Sequence, residues 1–107
     1  MLVNEHTLSA GEMVAAFAAE NGLATIVGTR TGGQVLGGGN FAVGHGFVLR
    51  FPAAAWYTWR GTIVEGRGVS PDVDVPLVPE DLRHGKDSQL EAAIAAVEGV
   101  TSAAQSA

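Results

Sequence analysis

The sequence predicts an α/β fold with a mixed sheet and two main helices, and three observations carry that prediction. A short apolar strand at residues 2–4, a helix at 10–21 and a strand at 24–28 follow one another through tight connections. That order is the strand–helix–strand grammar of a parallel sheet. Apolar runs at 41–43 and 46–51 flank Gly44-His45-Gly46 and read as an antiparallel hairpin. Leu90, Ala93, Ile94 and Val97 recur at helical spacing and mark a second helix at 88–98.

Each element has local support. In the first helix Met13, Val14, Phe17 and Ala18 share one apolar face expected to meet the core, and Asn21-Gly22 forms a C-cap pair. Six of the fifteen glycines fall within residues 28–39, which reads as a mobile or closely approached loop. That loop lacks the Lys-Ser/Thr of a phosphate-binding P-loop and reads as a substrate-edge loop. Residues 54–59 read as a further strand, Arg60-Gly61 as a turn, and 66–79 as an extended, proline-punctuated stretch. Trp56, Tyr57 and Trp59 are expected in the core, and Asp72 and Asp74 on a solvated face. Asp87 and Ser88 are cap candidates for the second helix. Residues 1–100 are expected to form the folded unit and 101–107 a flexible tail.

Composition narrows the function classes. With 107 residues the chain is one domain or a piece of one. A hydrophobic fraction of 47% with 16% charged residues excludes a disordered chain. The net charge of −5 and the lack of a Lys/Arg cluster argue against nucleic acid. The absence of cysteine excludes a disulfide framework, thiol chemistry and a cysteine zinc site. His6, His45, Asp72 and Asp74 have no metal-ligand spacing, so neither metal nor cofactor is expected. No apolar stretch approaches the roughly 20 residues of a membrane span. Met1–Asn4 is too short for a signal-peptide core, which reads as cytoplasmic for the chain as it stands. Residues 1–3 look like a strand entered in its middle, as though the chain began inside a larger architecture.

Ser9 is the most informative position. It places a hydroxyl at a strand-to-helix turn, where the next backbone N–H can face an oxyanion. Ser9 and Glu12 also satisfy a capping box, worth about 1 kcal/mol to the helix. Local sequence leaves both readings open. His6, three residues before Ser9, reads as an exposed strand-end histidine, and His45 and His84 as turn and loop residues.

Four segments in order resemble one family. They are Val3–Glu12, which contains the Ser9 turn; Gly22–Gly33, a strand running into the glycine loop; Glu65-Gly66-Arg67-Gly68-Val69-Ser70-Pro71-Asp72; and Lys86-Asp87-Ser88-Gln89-Leu90-Glu91-Ala92-Ala93. The chain is similar to the C-terminal part of the catalytic domain of the C-terminal processing peptidases, the tail-specific proteases and tricorn-core-like serine peptidases. The resemblance covers nearly the whole chain. It implies a ClpP/crotonase-like half-domain, with Ser9 as nucleophile and the Ala10 N–H as an oxyanion donor.

One version of the family's chemistry uses a Ser/Lys dyad, but the lysine's place falls at Gln34 and no lysine precedes Lys86. The tricorn-like version uses Ser, His and Glu, and its glutamate matches Glu65. The segment that supplies its histidine, the D-x-R-x-N-x-G-G oxyanion segment and a PDZ-like domain have no match here. The resemblance therefore implies peptide-bond hydrolysis on a peptide or protein substrate by a chain that is inactive alone. A homo-oligomer or a partner chain would supply the missing half, with no cofactor. The alternative is a non-catalytic binding or oligomerisation module of the same fold. An acyl-CoA enzyme of crotonase type fits less well, because the Glu65–Asp72 segment is not what such enzymes show.

Overall fold

A computed structural model of the chain describes the backbone of residues 1–105 and the side chains of residues 1–99. Eight elements follow in order: β1 (Leu2–Val3), α1 (Ala10–Glu20), β2 (Val27–Gly28), β3 (Gly37–Gly44), β4 (Phe47–Ala54), β5 (Val73–Asp74), α2 (Pro79–Arg83) and α3 (Ser88–Gln105). The result is a small α/β domain. Its parallel and antiparallel pairings form two separate sheets rather than one mixed sheet, with β1-β2-β5 in one and β3-β4 in the other.

The parallel sheet is narrow and closely packed. Leu2 pairs with Val27 and Val3 with Gly28, and Val27 and Gly28 pair in turn with Val73 and Asp74. Gly28 is required where it stands: its φ is +128° and a Cβ there would collide with the Val3 backbone. Asp72 reinforces the third strand, because its Oδ2 accepts the Ile26 N–H at 2.7 Å. Asp72 and Asp74 are both exposed, as expected of a solvated face, and Asp72 serves there as a structural acceptor as well.

Helix α1 packs on this sheet through small residues. Ala15, Ala16 and Ala18 are buried with Val3, Ile26, Val35, Val64 and Val69, and Met13 and Trp56 pack against the cluster. Of the expected face, Ala18 and Met13 meet the core, whereas Val14 and Phe17 are 58% and 57% exposed. Hydrophobic periodicity reports that a helix has an apolar side, but alanine lets the backbone come closest to the sheet. The closest approach took the alanines, and the two large side chains were left outside.

The β3–β4 hairpin turns at His45-Gly46 between Gly44 and Phe47, where Gly44, His45 and Gly46 all have positive φ. The expected loop at 37–40 is part of β3. Phe41 and Phe51 stack with ring centroids 4.4 Å apart. None of the residues of β4 is buried. The hairpin therefore contributes little to the core, and the radius of gyration of 18.0 Å exceeds the roughly 13 Å of a compact domain this size.

Residues 54–59 do not continue as a strand. After β4 ends at Ala54, only Tyr57 bridges to Ile63, around a turn in which Gly61 N–H donates to the Thr58 carbonyl. Trp56 is partly buried, whereas Tyr57 is 55% and Trp59 is 97% exposed, so the core expectation holds for one of the three aromatics.

Pro79 was read as the end of an extended stretch but opens helix α2, where its missing N–H costs nothing. At the start of α3 the Asp87 Oδ1 accepts the Leu90 N–H at 2.9 Å, as expected of a cap. Helix α3 runs on to Gln105, beyond the expected end at residue 98 and into the expected tail. Residues 106 and 107 of that tail lie outside the described residues. Among the described residues no helix is long and apolar enough to cross a membrane, and no three metal-ligating side chains gather.

Gly28→Ala is expected to destabilise the fold by at least about 3 kcal/mol, since positive φ and a backbone collision act together. Urea unfolding checks this, and a midpoint equal to wild type would contradict the packing described.

Candidate active site

The site is built where β1 turns into α1. Ser9 is the N-cap of the helix with φ 52° and ψ −119°. Serine seldom adopts positive φ, and such strain persists only where the surroundings impose it. The surroundings are visible. Ser9 N–H donates to the Gln34 carbonyl at 2.9 Å, and the Ser9 carbonyl accepts the N–H groups of Glu12 and Met13 at 3.0 and 3.1 Å.

Ser9 and Glu12 stand in a capping-box arrangement, but its two arms are unequal. Ser9 N–H reaches Glu12 Oε2 at 3.2 Å, whereas the hydroxyl's approach to the Glu12 amide falls short of a cap hydrogen bond. The residue is exposed, so the hydroxyl faces solvent. Gly11 N–H donates to the Leu8 carbonyl, and the Ala10 N–H has no acceptor among the described residues. A free amide at a helix N-terminus beside an uncommitted hydroxyl is the local geometry an acyl-transfer site needs.

Glu12 does far more than cap. It is fully buried at 0% exposure. Its Oε1 accepts Thr31 Oγ1 at 2.5 Å and Gly33 N–H at 2.6 Å, and its Oε2 accepts Gln34 N–H at 2.8 Å. Thr31 Oγ1 in turn accepts Val69 N–H at 2.7 Å. Burial pushes the Glu12 carboxyl up, but the Thr31 hydroxyl and the amides of Gln34, Gly33 and Ser9 together outweigh it and hold the carboxyl below its ordinary value.

Glu65 grips the next two residues of the same loop. Its Oε2 accepts Val35 N–H at 2.7 Å and Leu36 N–H at 3.1 Å. Its Oε1 takes no hydrogen bond among the described residues. Four successive amides, residues 33–36, therefore end on two carboxylates. Gly66 N–H closes the clamp onto the Gly33 carbonyl at 2.8 Å. Of the two readings of the glycine loop, mobile or closely approached, this part follows the second.

The structure thus brings Ser9, Ala10 and Glu65 to one loop, with Gln34 touching Ser9 and Val35 and Leu36 touching Glu65. Gln34 takes part only through its backbone, and its side chain is exposed. No histidine bonds to Ser9 or Glu65 among the described residues. His6 Nε2 lies 3.7 Å from Glu5, and His84 faces Glu80. Sequence reasoning missed the reach of Glu12, whose loop partners lie 19 to 22 residues away. The only local signal was the capping box itself.

With the geometry in place, the comparisons with known proteins fall on the same segments. The model of peptidase family S41 matches residues 1–75, which hold Ser9, the glycine loop and Glu65. Tricorn protease homolog 1 of Streptomyces coelicolor is 38% identical over 88% of this chain and 9% of its own length. The carboxy-terminal-processing protease of Bartonella bacilliformis is 35% identical over 70% of this chain and 17% of its own. Among solved structures, the tricorn protease superposes with a TM-score of 0.80 at 35% identity, covering 90% of this chain and 10% of that one. The chain belongs to peptidase family S41. It spans about a tenth of the length of the tricorn relatives it matches.

The lowered Glu12 carboxyl makes stability depend on acid. A carboxyl whose folded value lies below its ordinary 4.5 adds stability that is fully present above about that pH and is lost as pH falls through the folded value. Urea unfolding from neutral pH down to about pH 3 should show this loss, and Glu12→Gln should flatten it. An unchanged acid limb in Glu12→Gln would contradict the assignment.

Proposed function

We propose that this chain carries the nucleophile and orienting acid of a serine peptidase, on a ClpP/crotonase-like half-domain. The observation that carries the reading is the Ser9 turn: positive φ, an exposed serine at the helix N-cap, and beside it an Ala10 N–H with no acceptor among the described residues. The family membership and the match to tricorn protease support it.

In the proposed reaction Ser9 Oγ attacks the scissile carbonyl of a peptide or protein substrate and gives its proton to a histidine. The carbonyl oxygen becomes an oxyanion held by the Ala10 N–H. The histidine then protonates the leaving amine, and water releases the acyl group by the same steps. Glu65 orients that histidine. Two amides fix its Oε2, which leaves Oε1 to accept an imidazole N–H. Gln34 at the place of the dyad lysine supports this version, because an amide is not a base. None of the histidines among the described residues bonds to Ser9, so this reading takes its base from outside residues 1–107. Residues 1–107 by themselves are then inactive in this reading, since loss of one triad member removes most of the rate.

A second reading is favoured by one observation. The β3–β4 hairpin exposes Phe41, Val43, Phe47, Val48, Leu49 and Phe51. A patch of that size is characteristic of an interaction surface. In this reading the chain is a non-catalytic oligomerisation module whose hairpin meets a second copy. Light scattering during size exclusion decides: a clean monomer at high concentration would count against it.

For the peptidase, a fluorophosphonate is expected to label Ser9 in the assembly that supplies the base, and Ser9→Ala to abolish labelling. Peptide hydrolysis should fall about 10⁴- to 10⁶-fold in Ser9→Ala and about 10²- to 10⁴-fold in Glu65→Gln. Wild-type protein that never labels would sink the reading.

A further inference from the structure

A capping glutamate needs one partner and ordinarily sits in water. Glu12 has four donors and no exposure, and none of its partners is a cation. A buried carboxylate held only by neutral donors is costly unless its bonds are all made. Three of those donors belong to residues 31–34, and the fourth is the Ser9 N–H.

The bonds form a closed arrangement around Oε2. Gln34 N–H and Ser9 N–H both donate to it, while Ser9 N–H also donates to the Gln34 carbonyl. Oε1 holds Thr31 and Gly33 on its other side. Gly33 has to be glycine, since its φ is +70° and a Cβ there would lie 2.9 Å from the Arg67 and Gly68 amides, and the Gly66 N–H holds its carbonyl at 2.8 Å. The loop is thus a fixed anchor, and Glu12 ties the serine turn to it. Without that tie the turn would relax from a backbone conformation serine disfavours.

We infer that Glu12 is a positioning residue for Ser9, fixing the directions of the hydroxyl and the Ala10 N–H through the loop at residues 31–34. The inference rests on Ser9 being the nucleophile. Glutamine cannot replace Glu12, because its NH₂ would face amide donors. Aspartate keeps the charge but is one methylene shorter.

The test compares Glu12→Gln, Glu12→Asp and Thr31→Val in the full chain within its assembly. Thr31→Val removes the hydroxyl's bonds to Glu12 Oε1 and from the Val69 N–H, but leaves the backbone bond from Thr31 N–H to the Val69 carbonyl and the Ser9–Glu12 and Ser9–Gln34 bonds in place. Three quantities are read: urea midpoint, rate of fluorophosphonate labelling, and hydrogen exchange at the Ser9, Gly33 and Gln34 amides.

Glu12→Gln is expected to slow labelling roughly 100-fold, the scale set by displacing a reacting group by about 1 Å. It should also speed exchange at those three amides. Glu12→Asp should recover part of the labelling rate. Thr31→Val should lower the urea midpoint while labelling stays near wild type. A labelling loss that tracks the stability loss across all three variants would overturn the inference, leaving Glu12 a purely structural acid. If Glu12→Gln does not fold, Glu12→Asp decides, and unchanged labelling with unchanged Ser9 exchange would overturn it. Wild-type protein that never labels overturns the nucleophile assignment instead, and hydrogen exchange then decides separately whether Glu12 holds the turn.

Discussion

A carboxylate taken out of water must find a hydrogen bond for nearly every lone pair, and in this chain that demand organises the surroundings of Ser9. Glu12 meets it with one hydroxyl and three amides, one from the adjacent Ser9 turn and the rest from the remote segment 31–34. The loop at 31–36 has the glycines it needs to turn its amides inward, and Thr31 passes the interaction on to Val69. Remove the charge and the loop loses its inner acceptor. Remove the loop and the charge has no solvent to return to. Each explains why the other has its shape.

The sheet and helix around this centre are packed for closeness rather than for volume. Gly28 against Val3, and an alanine face on α1 against Ile26, Val35 and Val69, bring the backbones together. That closeness lets Glu12, the third residue of α1, reach amides of a loop that follows β2. The cost is a thin core. The larger apolar side chains, among them Val14, Phe17 and most of the β3–β4 hairpin, lie outside it. An elongated molecule of 65 × 37 × 19 Å follows directly.

Much of this was legible in the residues. Helix α1 and its Ser9 N-cap, the hairpin turn at Gly44–Gly46 and the Asp87 cap are local features, and local chemistry announces them. The buried face of α1 was not legible, because Met13, Val14 and Phe17 give the stronger periodic signal while steric closeness favours alanine. Residues 55–59 have strand-like side chains, but strand formation requires a neighbour, and among them Tyr57 alone forms a bridge. Glu12 was half legible. Its bond to Ser9 N–H spans three residues and follows from the capping box. Its bonds to Thr31, Gly33 and Gln34 exist only once β2 has carried the loop back over the helix. The glycine loop left a choice between mobile and closely approached, and residues 31–36 take the second for the same reason: glycine content reports freedom in the unfolded chain, not the acceptors waiting in the folded one.

Two glutamates share the loop, and their environments divide their work. Glu12 is fully buried, with both oxygens consumed, so it can hold geometry but has nothing left to offer a reacting group. Glu65 is only partly buried, and two amides hold a single oxygen. Its second oxygen remains available while the first is fixed in place, which is what orienting an imidazole demands. A carboxylate that must act needs a spare lone pair in a defined direction, and one that must position needs none. On the proposed peptidase reading, Glu12 serves the geometry of Ser9, and Glu65, 56 positions further on, serves its proton chemistry.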